Sequence, residues 1–96
     1  MAELRLISDR KRRLKPLVEA ALKNELRLLE AGMKRTKQNM LAFEKKFGLN
    51  TQEFIARYEN DEMTETLDYA DWIGEHRMLE RLKEKADTLR TIRFAN

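Results

Sequence analysis

The sequence predicts an all-α fold: an antiparallel hairpin of a long helix, a short helix and a second long helix, with a coiled-coil-like seam and an oligomeric assembly. Three observations predict it. Charged residues make up 39% of the 96 and hydrophobic ones 42%, with three Gly and one Pro, a balance that suits amphipathic helices and leaves strands without their turn punctuation. Leu22, Leu26, Leu29, Met33, Thr36, Met40, Phe43 and Phe47 follow one another at spacings of 4, 3, 4, 3, 4, 3 and 4, a heptad seam with one polar position at Thr36. Such a rod cannot bury its own stripe, so it needs a second helix. The third observation is the run Lys45-Lys46-Phe47-Gly48-Leu49, which ends the long helix and is followed at once by a new cap. A short connection between long helices favours an antiparallel hairpin.

The elements follow in order within a single helical domain spanning 1–96. Residues 1–14 form a basic N-terminal arm, within which 3–7 alternate briefly as an edge strand or a tail. A proline is welcome in the first turn of a helix and harmful deeper in it, so Pro16 places the long helix at 15–48. Leu14, Val18, Leu28 and Leu41 broaden its apolar stripe. Asn50 or Thr51 caps a short helix at 50–59, with Glu53 three residues beyond Asn50 and Phe54, Ile55 and Tyr58 on its inner face. Residues 62–68 read as a linker, and a C-terminal helix at 68–93 carries Trp72, Leu79, Leu82, Ala86, Leu89 and Arg93 on the heptad lattice. The lone Trp72 is expected against Phe47, Phe54 and Tyr58 at the closed end.

Several chemistries find no residues to carry them. The chain has no cysteine, which excludes disulfides and thiolate metal sites. The N-terminus lacks the apolar core of a signal peptide and no stretch approaches a membrane span, so a cytoplasmic protein without membrane contact is expected. The single histidine, His76, has only Glu80 within one turn as an acidic helper. Asp68, Asp71 and Glu75 share a helix face, but acidic residues near a helix N-terminus already have a reason to be there. No catalytic, cofactor or metal residues are assigned, and an enzyme is not expected.

Charge is distributed unevenly. Residues 1–47 carry thirteen Lys or Arg against six Asp or Glu, and residues 48–96 carry seven against eleven. Arg10, Lys11, Arg12, Arg13 and Lys15 form a cluster able to neutralise phosphates, so nucleic-acid binding by this arm is an alternative reading. The acidic stretch from Glu53 to Glu75 suits a basic protein partner instead.

The block Phe43-Glu44-Lys45-Lys46-Phe47-Gly48-Leu49-Asn50-Thr51-Gln52-Glu53-Phe54, with Leu67-Asp68-Tyr69-Ala70-Asp71-Trp72 after the acidic linker, resembles small prokaryotic antitoxins. The resemblance covers roughly residues 40–85 and implies a non-enzymatic, antitoxin-like protein that docks or neutralises a basic toxin, as a homodimer or a hetero-complex. The residues expected at the partner are Leu22, Leu26, Leu29 and Met33 toward the open end, and Glu62, Glu65, Asp68, Asp71 and Trp72 at the acidic elbow. A purely structural coiled-coil adaptor is the remaining reading.

Overall fold

The computed structural model describes residues 3–5 and 11–95. Helix α1 runs from Lys11 to Phe47, α2 from Thr51 to Glu59 and α3 from Leu67 to Arg90, with strands β1 at Glu3–Arg5 and β2 at Arg93–Ala95. α3 packs back along α1 to make a hairpin of about 60 × 22 × 17 Å. Its last turn lies beside Glu25 and Leu29. The first turns of α1 therefore continue beyond α3 at the open end.

Each reversal has a local cause. Gly48 adopts φ +64°, and both its N–H and that of Leu49 bond the Glu44 carbonyl, at 2.9 and 3.3 Å. This closes α1 with a left-handed residue that only glycine adopts without cost. Asn50 then caps α2, its side chain accepting from the Glu53 N–H at 2.8 Å. α2 ends with Asp61 at φ +57° and the Glu62 N–H on the Arg57 carbonyl. Thr66 caps α3 through the Tyr69 N–H at 3.1 Å.

Two expected bounds differ. α1 begins at Lys11, so Pro16 sits five residues inside it rather than in its first turn. The one backbone bond this forfeits would have ended on the carbonyl of residue 12, close to the helix end, where Pro16 is exposed and water reaches the backbone. α3 stops at Arg90, capped by Thr91, and Arg93 belongs to β2 rather than to the heptad lattice. β1 and β2 pair in parallel, Glu3 opposite Arg93 and Arg5 opposite Ala95. The antiparallel hairpin brings the two chain ends side by side, a proximity that no local pattern encodes.

The core sits at the closed end. Trp72 and Phe54 are fully buried and stack with ring centroids 3.9 Å apart, and Phe43 and Phe47 lie 5.7 and 5.9 Å from the indole. Tyr58 reaches this cluster through Phe54. Met40, Ile73 and Leu79 complete it, and Leu29 and Ala86 are buried farther along the hairpin. The indole N–H donates to the Thr51 hydroxyl at 3.0 Å, and that hydroxyl donates to the Glu44 carboxylate at 2.7 Å. The same carboxylate oxygen accepts the Thr51 backbone N–H at 2.8 Å, a negative group on an orphan donor at the start of α2. One chain of hydrogen bonds thus joins all three helices.

Thr36, the polar position of the seam, is buried, and its hydroxyl donates to the Met33 carbonyl of its own helix at 2.9 Å. Threonine satisfies itself this way in helices, so it forms no cross-helix bond that would set register.

Thr51→Val should leave the indole N–H buried without an acceptor and lower stability by about 2 kcal/mol, whereas Thr51→Ser, which keeps the hydroxyl, should cost about half as much. Urea unfolding followed by Trp72 fluorescence measures both. Equal midpoints for the two variants would show that the hydroxyl contributes nothing.

Candidate functional site

Residues expected at a partner separate into three groups. Leu29 is buried and Met33 packs on the core cluster, so both belong to the α1–α3 seam within the chain. Leu22 and Leu26 are half-buried where α3 runs out, so part of the apolar surface of the seam is left at that end. Trp72 has no exposed surface at all, because three phenylalanine rings and Thr51 surround it. Its role is the core one, and a partner meets none of it.

The acidic residues stay at the surface. Glu62 and Glu65 are exposed, and so are Glu53, Glu59 and Asp61 on the same elbow, whereas Asp71, also exposed, lies one turn into α3 on the groove between α1 and α3. Asp68 is half-buried and held by Lys46 at 2.6 Å, a pair that puts a cation at the C-terminus of α1 and an anion at the N-terminus of α3. Glu65 accepts the Tyr58 hydroxyl at 2.6 Å. Glu53, Glu59, Asp61, Glu62 and Asp71 form no ion pair within the described residues. The elbow, made of α2 and the 60–66 turn, is therefore a negative surface.

The basic arm is different. Arg10 lies outside the described residues, and Lys11, Arg12 and Arg13 form the first turn of α1. That turn carries no acidic residue to complement the positive end of the helix dipole. Lys15, one turn on, is half-buried.

His76 Nε2 pairs with Glu80 at 2.8 Å on the flank of α3, a partly exposed i,i+4 contact. Among the described residues no three of His, Asp or Glu converge on a metal-sized point. None of their helices is long and apolar enough to cross a membrane.

Sequence reasoning missed the roles of Glu44 and Thr51. Glu44 reads as a charged surface residue and Thr51 as a simple cap, and their joint function depends on where α3 delivers the indole. The available sign was a buried-type aromatic with an N–H to satisfy, since buried Trp almost always has an acceptor.

No family model matches the chain, and no curated protein or solved structure matches it significantly.

The Tyr58 phenol is raised above its ordinary value of 10.0, first because its proton is held by the Glu65 carboxylate, then by burial and by the Glu65 charge, with Arg77 pulling the other way. A raised value in the folded state means that this bond contributes stability up to pH of about 10 and loses it as pH rises through the raised value. Phenolate absorbance should therefore appear at lower pH in Glu65→Gln than in the parent chain. Coincident titrations would mean that the bond is absent in solution.

Proposed function

We propose that this chain is a non-catalytic protein-binding module that docks a basic partner protein on its acidic elbow, in the manner of an antitoxin held against its toxin. The supporting observation is the set of four elbow carboxylates, Glu53, Glu59, Asp61 and Glu62, all exposed and without ion pairs among the described residues. Clustered like charges repel one another in the free protein, and a cationic surface relieves that repulsion while steering encounter. The hydrogen-bonded anchor at Thr51 fixes α2 on the hairpin, so the carboxylates are presented on a rigid support and little ordering entropy opposes docking. The toxin identity comes from the sequence resemblance alone, and the basic character of the partner from the surface.

The test is capture by the tagged chain from its native host, with and without nuclease, set beside Glu59→Lys/Glu62→Lys. Both positions are exposed and form no ion pair among the described residues, so the fold should be retained. Expected is a basic protein at fixed stoichiometry that resists nuclease, weakens with salt and is lost in the variant. Capture that the variant leaves untouched would remove the elbow from the function. Nucleic acid recovered only without digestion would transfer the assignment to the Arg10–Lys15 arm.

A further inference from the structure

A groove of about 880 Å³ runs along one side of the hairpin between α1 and α3. Its wall on α3 holds Asp71, Gly74, Met78 and Arg81, part of a second row of residues beside the core seam that Leu67 and Lys85 extend past the groove at either end. Leu67, Asp71, Gly74, Met78, Arg81 and Lys85 follow at spacings of 4, 3, 4, 3 and 4. At about 100° per residue this row is turned roughly 100° from the line of Trp72, Leu79 and Ala86. All six are exposed, Leu67 at 79% and Met78 at 43%. The α1 wall continues the same side with Gly32, Asn39 and Ala42, and with the exposed Leu28 on the same helical row. Two contact faces about a quarter-turn apart are what a helix needs in a four-helix bundle, where each helix meets two neighbours.

Gly74 points the same way. The hairpin accounts for Gly32, where a Cβ would stand 3.2 Å from the Leu82 side chain, but a Cβ at Gly74 would meet nothing within 4 Å. A glycine inside an exposed helix costs about 1 kcal/mol relative to alanine. The folded chain draws no packing benefit from it, whereas a helix arriving from outside does.

The charges identify that helix. Asp71 and Glu75 stand at the elbow end of the groove, Arg35 and Arg81 at the other, and none of the four forms an ion pair within the described residues. Asp71 and Arg81 are ten residues apart, about 15 Å along α3. Residue 76 is the midpoint of Asp71 and Arg81, of Gly74 and Met78, and of Leu67 and Lys85. A surface negative at one end and positive at the other, with a hole and a knob placed symmetrically between, is complementary to itself turned end for end.

We propose that this groove is the contact surface for a second copy of the chain, laid antiparallel so that the two α3 helices cross near residue 76 and the hairpins form a four-helix assembly. Asp71 of each copy then faces Arg81 of the other, and Met78 of each fills the space over the other's Gly74. The core seam stays within each chain. The proposal is independent of the acidic-elbow reading, and Arg81, which lies away from the elbow, separates them: Arg81→Asp weakens self-association and leaves capture of a basic partner intact.

Sedimentation velocity on the full chain at low salt tests it. The parent should be a dimer at about 0.1 mM. Asp71→Arg and Arg81→Asp should each weaken the dimer at least about tenfold, because each places like charges opposite one another. Their equimolar mixture should recover a heterodimer, since the reversed charges then meet opposite ones. Gly74→Lys, at an open helical position, should yield a monomer with undiminished helicity by circular dichroism. A monomeric parent at that concentration overturns the proposal. So do single reversals that associate as the parent does, or a mixture that stays monomeric.

Discussion

The hydrogen-bond chain from the Trp72 indole through the Thr51 hydroxyl to the Glu44 carboxylate is the constraint on which the closed end depends. Each of the three residues comes from a different helix, and each needs the other two. The indole is wholly buried and would lose its N–H to an apolar surround without Thr51. The Thr51 hydroxyl, having accepted from the indole, must give its own proton somewhere, and the carboxylate takes it along with the backbone N–H. No described buried side-chain polar atom is left without a partner, so the aromatic cluster encloses this polar thread without an electrostatic penalty. Because α2 is only nine residues long, packing of its short apolar face alone would hold it weakly. The thread and the Phe54–Trp72 stack together fix its position.

Packing is unequal along the rod. Six aromatic rings, those of Phe43, Phe47, Phe54, Tyr58, Tyr69 and Trp72, meet at the closed end, while toward the open end the contacts reduce to Leu29, Ala86 and a few half-buried leucines. The surface ion pairs that span the helices there, such as Arg90 with Glu30 at 3.3 Å, contribute little in water. Stability is graded from the elbow outward. The rigid end is the end that carries the acidic surface, and the looser end is where α1 outruns α3 and the two termini pair.

The surfaces left by this arrangement differ in kind. The elbow is charged, suited to long-range attraction. The lateral groove is lined by small and apolar residues with its charges at opposite ends, suited to close helix packing. Both proposals assign these surfaces to different partners without conflict, because the groove centres near residue 76 and the elbow lies beyond the first turn of α3.

By itself the sequence determined the helices, their order and the hairpin, because these follow from local causes: heptad spacing, a glycine after two lysines, and a side-chain cap at Asn50 or Thr51. The acidic elbow was equally legible, since a dense run of carboxylates has nowhere to go but the surface. Only the tertiary structure decided which apolar residues are spent inside the chain. Leu29, Met33 and Trp72 read from sequence as candidates for a partner, yet α3 covers the first two and Phe43, Phe47 and Phe54 enclose the third, and periodicity cannot tell an internal neighbour from an external one. The same limit hid Glu44 and Thr51, whose meaning arises when α3 brings an indole to them. It also hid the second row on α3, since a stripe of Leu, Asp, Gly, Met, Arg and Lys has no hydrophobic period. That row becomes visible as a surface only once the first is buried.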